Sequence, residues 1–388
     1  MTQHTRFRRR ALSLLAVVAA GALSACGAPA ADAPSAGFPP EIRVMVNNDQ
    51  TGPAGFAGQA LNKGITLAVE QANSAGLFGG SRLVMDFQDA AGDPQSAVRI
   101  TRTAVSDKRY TAMIGPIRSV EQLPTVPLVQ NGKLPTLLSE PNAAGLNVGD
   151  YTFLAGAPIT SYFDVMHGYL TSAGAKRIAV ITDDLPSDLP IGDIAEKWNG
   201  VDGTAVTTRV TVSRDSQDYT AQIAQIVRSQ PDAVVNVVTS AAGAALISQL
   251  RQGGFTGRIV GIEATTSAML RTAGPAATGF TFPTRFSVLS SAAPSTADFT
   301  AAFTARFPGE TPDAYAASGY DATQWLIKGL QKSGTATRDD LQRALTAVAS
   351  TGFSGAQGQI TFVGREMRVS ATVLQWDGTK NILATDRR

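Results

Sequence analysis

Cysteine and histidine are nearly missing from this sequence: one Cys (Cys26) and two His (His4 and His167) among 388 residues. A single cysteine excludes an intrachain disulfide framework. So few thiols and imidazoles give no basis for a zinc or iron–sulfur site, and no cofactor is expected. Histidine-based acid–base catalysis is equally short of material, and His167 alone in a helical pattern reads as packing or surface. No G-x-S-x-G elbow, P-loop or G-x-G-x-x-G fingerprint occurs. Asp183, Asp184, Asp188 and Asp193 cluster without the spacing of a calcium loop. Charge is also scarce, at 16% of residues against 44% hydrophobic, a balance too apolar for a disordered chain. What remains is a chain with ample core material. At about 150 residues per domain its length predicts roughly two to three domains, and its composition favours binding or transport over metal chemistry.

The apolar stretch at 11–22 is too short to span a bilayer, which takes about 20 residues. It follows Arg6, Arg8, Arg9 and Arg10, the charged n-region and apolar h-region of an export signal. It ends in Leu23-Ser24-Ala25-Cys26, which resembles the lipobox of bacterial lipoproteins. The resemblance implies removal of residues 1–25, a lipid on the Cys26 sulfur, and a place on the extracytoplasmic face of the cell membrane. Losing 1–25 removes four arginines and no acid, so the formal charge moves from +2 to −2. The basic surface that nucleic-acid binding needs is thereby gone. Residues 26–40, rich in Ala, Pro and Gly, read as an extended tether.

Beyond Pro40, short β-branched runs alternate with helical periodicity. Strands are predicted at 42–46, 83–87, 112–114 and 135–138, with helices at 58–74, 94–107 and 120–130 between them. The rhythm restarts with strands at 177–182, 205–212, 233–238 and 258–262 and helices at 192–199, 218–229 and 241–253. Helices at 296–307, 313–331 and 338–349 and strands at 359–362 and 370–376 follow. Strand–helix alternation with short connections predicts α/β architecture: two doubly wound parallel-sheet lobes. Ligands of such sheets sit beyond the carboxyl ends of the strands.

Ordered segments then carry a resemblance. Thr51-Gly52-Pro53-Ala54-Gly55-Phe56-Ala57-Gly58 is similar to a TGP-x-x-[aromatic]-x-G loop. GITLAVEQAN at 64–73 and DAAGDP at 89–94 follow in order, then Ile114-Gly115-Pro116, AKRIAVITDD at 175–184 and YAASGYDA at 315–322. Together, from about Glu41 to Trp376, they resemble type I periplasmic substrate-binding proteins, in particular the leucine/isoleucine/valine-binding group that serves ABC importers.

That resemblance implies a three-stranded hinge between the lobes, with 41–157 and 284–370 in lobe one and 158–283 and 371–388 in lobe two. It also implies a small-molecule ligand in the cleft, an ABC permease as partner, and no catalysis. Ser119, before the 120–130 helix, falls where relatives place a hydroxyl on a ligand carboxylate; helix capping is its ordinary alternative. Arg118 beside it could pair with a carboxylate. Glu263 matches an acid that meets a ligand ammonium, and its burial requires a partner, either ligand or nearby base. Phe56 could cover an apolar side chain or pack in the core. Ser139, Asn142 and Ala143 belong to the ligand set after the fourth strand, and Tyr315 comes from the returning helix.

Departures from the pattern narrow the ligand. Ala143 replaces a usual threonine, Ile191-Gly192 a tyrosine–glycine pair, and Thr239-Ser240-Ala241 a tyrosine-bearing loop. A different amino acid, a small amide or an aromatic acid stays open beside the branched-chain amino acids. The same fold could alternatively serve an envelope lipoprotein that senses a ligand or acts as a scaffold.

Overall fold

The computed structural model describes residues 37–183, 189–290 and 293–384. The proposed export signal, Cys26 and most of the tether lie outside these residues, as do Asp184 and Asp188.

The chain enters through β1 (Glu41–Asn48), α1 (Gly55–Ser74), β2 (Arg82–Asp89), α2 (Pro94–Ser106), β3 (Tyr110–Ile114), α3 (Ser119–Asn131), β4 (Thr136–Leu138) and β5 (Thr152–Leu154). A second run follows: α4 (Val165–Ser172), β6 (Arg177–Asp183), α5 (Leu189–Lys197), β7 (Ala205–Val212), α6 (Thr220–Arg228), β8 (Ala233–Asn236), α7 (Ser240–Gln252), β9 (Arg258–Val260), α8 (Ser267–Ala273) and β10 (Thr281–Thr284). It closes with α9 (Pro294–Arg306), α10 (Ala314–Ser333), α11 (Arg338–Ala349), β11 (Phe353–Gly355), β12 (Gly358–Val363), β13 (Glu366–Arg368), β14 (Thr372–Trp376) and β15 (Asn381–Leu383).

Two sheets result. One runs β11-β12-β13-β5-β4-β3-β1-β2, the other β15-β14-β10-β9-β8-β6-β7. The five early strands of each lie parallel in the same relative order, with the first strand between the second and third. This is the doubly wound arrangement in which right-handed crossovers put helices on both faces. Strands such as β3 and β8 are buried along their whole length, which explains their unbroken apolar sequence. The sheets are mixed, not wholly parallel as expected: β12 and β11 run antiparallel at one edge of the first, and β14 and β15 at one edge of the second. These late segments return through hairpins, which need no crossover helix.

Helix ends are written in the sequence. Asp93 caps α2 by accepting from the N–H groups of Gln95 (3.2 Å) and Ser96 (2.9 Å), with Pro94 at the first helical position. Asp313 caps α10 through Ala316 N–H, and Gly334 ends that helix in the left-handed region. Helices α1 and α10 pack closely over the first sheet because each offers a glycine. A Cβ on Gly64 would stand 1.9 Å from the Ala316 carbonyl oxygen, and one on Gly319 2.2 Å from that of Leu61. Around this crossing Leu61, Ile65, Trp325, Leu326 and Phe153 build the largest core. His167 is packing: its Nε2 lies 2.9 Å from Thr204 Oγ1 and its ring stacks on Trp198.

The chain passes between the sheets three times, after β5, after β10 and after β13.

Candidate interlobe ligand site

The carboxyl edge of the first sheet begins where β1 ends, in Asn47, Asn48 and Asp49, all buried. Asp49 Oδ1 accepts from Gly92 N–H at 2.8 Å, tying the loop after β1 to the loop after β2. Across the switch point between β1 and β3, α3 starts at Ser119. The N-cap position belongs to Arg118, in extended backbone (φ −98°, ψ 139°), so Ser119 is one residue too late for the capping role considered from sequence. Arg118 Nη1 donates to the Gly92 carbonyl at 3.1 Å and stands 3.8 Å from Glu121 Oε1.

Glu121 and Asp49 form a buried acid pair. Burial raises both carboxyls; the charge of Asp49 raises Glu121 further, to about 7, against the N–H and charge of Arg118, whereas at Asp49 the Gly92 N–H, the Arg118 charge and a hydrogen bond with Glu121 oppose the shift. Asp49 Oδ2 and Glu121 Oε1 have no other donor, the arrangement of two carboxyls sharing a proton.

Phe56, in the first turn of α1, is 65% exposed, so it is not a core residue. Its ring meets that of Tyr315, in the first turn of α10, edge to face at 5.8 Å. The α1–α10 crossing therefore presents two aromatic rings side by side. Burial pushes the Tyr315 phenol up, and the charges of Glu140 and Glu263 add to this.

Glu140, Arg285 and Glu263 join the two sheets. Glu140 follows β4, Glu263 follows β9, and Arg285 follows β10 on the second crossing. Arg285 Nη2 and Nη1 donate to Glu140 Oε2 and Oε1 at 2.9 and 3.3 Å, and Nε donates to Glu263 Oε2 at 2.7 Å. Its Nη1 also reaches the Ala157 carbonyl on the first crossing at 3.4 Å. The guanidinium is 3% exposed, against 11% for Glu140 and 14% for Glu263. Burial works against the charge of Arg285, but the two carboxylates outweigh it and hold the group firmly protonated. Glu140 is raised by burial, with Arg285 opposing.

Glu263 thus has the nearby base its burial called for. Its Oε1 accepts from Thr284 Oγ1 (2.9 Å) and Arg285 N–H (2.6 Å), and its Oε2 from Tyr162 O–H (2.7 Å) as well as Arg285 Nε. Three donors are thus committed to Glu263, and the single hydrogen of the Thr284 hydroxyl is shared between it and the Phe286 carbonyl, 2.8 Å away.

The other expected residues divide. Ser139 is buried with an unpartnered hydroxyl. Asn142 accepts from Ile159 N–H at 3.1 Å and so braces the first crossing. Ala143 packs against Val126, Leu138, Leu146 and Leu154. Ile191 is core, and Ser240 opens α7 at φ 65°. Sequence reasoning missed Glu140, Tyr162 and Arg285. Glu140 stood in a stretch already singled out, but Tyr162 and Arg285 had no motif to mark them. Among the described residues no group of His, Cys, Asp and Glu is arranged to hold a metal ion, and no helix is long and apolar enough to cross a membrane.

The chain is similar to known proteins along most of its length. The Leu/Ile/Val-binding protein BraC3 of Rhizobium johnstonii is 23% identical over 351 residues, covering 89% of this chain and 94% of that protein. Among solved structures, the branched-chain amino acid transporter substrate binding protein LivJ of Streptococcus pneumoniae, in complex with isoleucine, has a TM-score of 0.75 at 20% identity, covering 89% of this chain and 99% of that one. A solute binding protein of an ABC transporter from R. palustris, in complex with benzoate, has a TM-score of 0.72 at 18% identity, covering 88% and 95%. The family model for periplasmic binding proteins matches residues 41–381, and the chain belongs to that family.

Proposed function

We propose that this protein is the lipid-anchored, extracytoplasmic solute-binding component of an ABC importer. It captures an amino acid, an amide or a small carboxylic acid between its lobes and hands it to the permease. The observation that carries the reading is the meeting of the two sheets' carboxyl edges at Glu140, Arg285 and Glu263, beside three chain crossings. Binding is then hinge closure, with residues 41–157 and 284–370 moving as one body and 158–283 and 371–388 as the other. Ser119, Phe56, Ser139 and Tyr315 supply polar and aromatic contacts from lobe one. Nothing in the function calls for a catalytic step.

A ligand that binds only the folded protein stabilises it by mass action, by about 2.7 kcal/mol at a hundred times its dissociation constant. Thermal unfolding of the soluble body against amino acids, amides and aromatic acids should yield one responsive class. A well-folded sample indifferent to the whole panel would defeat the proposal. Anchoring is tested separately: Cys26→Ala should move the protein out of the membrane fraction, and retention there would refute a lipid anchor.

A further inference from the structure

The loops that follow β1, β2 and β3 converge at Gly92, which leaves no room for a side chain: a Cβ there would stand 2.8 Å from Pro53 Cδ and 3.1 Å from Arg118 Nη1. Asp89 ties the first two loops by accepting from Gln50 N–H (2.8 Å), Thr51 Oγ1 (2.7 Å) and Ala91 N–H (2.8 Å). Asp49 and Arg118 complete the junction through the N–H and the carbonyl of Gly92. Phe56 follows the first loop and Ser119 the third, so this junction sets where both residues stand.

Beneath the junction there are more acceptors than donors. Asp49 and Glu121 are both 0% exposed, and Asp49 Oδ2 and Glu121 Oε1 lack a donor. So do the buried Asn47 Oδ1, two residues before Asp49 on the same face of β1, and Gln122 Oε1, next to Glu121. Among the described residues one cation serves the two acids: Arg118, whose Nη1 is 3.8 Å from Glu121 Oε1 and already donates to Gly92. The other charged groups of the packed segments do not relieve this. Asp89 adds negative charge at Asp49, Asp93 is committed to capping α2, and Arg99 and Arg102 of α2 are exposed along the outer groove between α2 and α3. Two adjoining buried carboxyls with a single guanidinium need one proton between them. It rests on Glu121, which burial and the charge of Asp49 push up to about 7.

We propose that Glu121 is a positioning residue: its proton, donated to Asp49, latches the first and third loops together, and capture of the solute takes up that proton where it is missing. This rests on the solute-binding reading and goes beyond it. Without the proton, two adjoining carboxylates share one cation, and their repulsion is relieved by parting the loop after β1 from the start of α3. Phe56 and Ser119 then separate. A solute that needs both binds the latched form alone, so it draws the equilibrium, and the proton, with it. Affinity is therefore highest in mild acid, falls as pH rises toward about 7, and levels off above it.

The test is a calorimetric titration of the soluble body with isoleucine, acetamide and benzoate at roughly pH 5.5 and 8, an interval in which none of the three titrates. Whichever binds should bind roughly 3- to 10-fold more weakly at the upper end. Between those limits its heat should vary with the ionisation enthalpy of the buffer, in the direction of proton uptake. Glu121→Gln, whose amide donates to Asp49 without titrating, should hold the acid-side affinity throughout and abolish the buffer dependence. A flat wild-type profile, or a slope that survives in Glu121→Gln, would overturn the latch and leave the solute-binding reading intact. So would a uniform loss of affinity in that variant with the slope unchanged, the mark of a purely structural role. If neither these probes nor the wider panel of amino acids, amides and aromatic acids binds, the solute-binding reading itself fails, and this inference with it. Should Glu121→Gln not fold, Asp49→Asn, which offers an amide donor to Glu121, takes its place: a flattened profile supports the latch and a persistent slope overturns it.

Discussion

Arg285 holds together two carboxylates that belong to different sheets, so removing it leaves charges in place with nothing to pair them. Arg285→Met should cost about 3–5 kcal/mol, the range for breaking a buried pair from one side, read as a lower denaturant midpoint. Adding Glu140→Gln and Glu263→Gln to that background should recover much of the loss, because no buried charge then stands alone. Glu121 offers a second measurement. Its folded-state value of about 7 lies above the ordinary carboxyl range, so between roughly pH 4.5 and 7 the folded state holds a proton that the unfolded state has released. Stability contributed by this group is therefore full in acid and lost as pH rises through that window. Glu121→Gln should remove that part of the slope and stabilise the protein at pH 8 by roughly 1–3 kcal/mol, measured by denaturation at several pH values. Asp321, also pushed up to about 7, keeps its own contribution in both proteins, so the difference between them reports the Glu121–Asp49 pair. At this scale the exposed place of Phe56 could be suspected from a loop aromatic, whereas the helix cap was read one residue late, at Ser119, because serine is the commoner cap and Arg118 holds the position. The Glu140–Arg285 pair was not legible: its members stand 145 positions apart, and only the folded topology brings them together.

The α1–α10 pair is the element on which the site's aromatic face depends. Gly64 and Gly319 let the helix backbones touch, and this crossing sets how Phe56 meets Tyr315. Gly64→Val should force the helices apart, costing about 1–3 kcal/mol as overpacking and lowering the melting temperature. Ligand affinity should fall in the same variant, since both rings ride on the displaced elements. An unchanged melting temperature would mean that the contact is looser than its geometry indicates. The long helices and the buried strands of both sheets could be read from periodicity, which has enough residues there to show a face. The strands β5, β10, β11, β13 and β15 could not: like β4, β8 and β9 they have three or four residues, but they lack the apolar β-branched run bounded by helical patterns that marked β8 and β9. Nor did alternation reveal the antiparallel edges. They are made by the last segments of the chain, where strand follows strand without a helix between.

For the whole molecule, the clustering of positive charge within residues 1–25 and the scarcity of histidine were readable at once, as were two α/β bodies built on one plan. The polarity of the cleft was not readable, because it comes from pairing between distant segments. The interleaving of the two sheets has one further consequence, for how the protein is made. Leu154 in β5 pairs with Glu366 in β13, roughly 200 positions later, and α10 and α11, which cover much of the first core, also come late. A chain threaded out amino end first has all five parallel strands of the second sheet before the first sheet receives its last partner. Until then β5 is an open edge and the apolar faces of Leu61 and Ile65 lack Trp325 and Leu326. The first body to begin folding thus waits for nearly the whole of the second, of which only the edge strands β14 and β15 come later. In the interval the chain is most exposed to proteases and to association with its own copies.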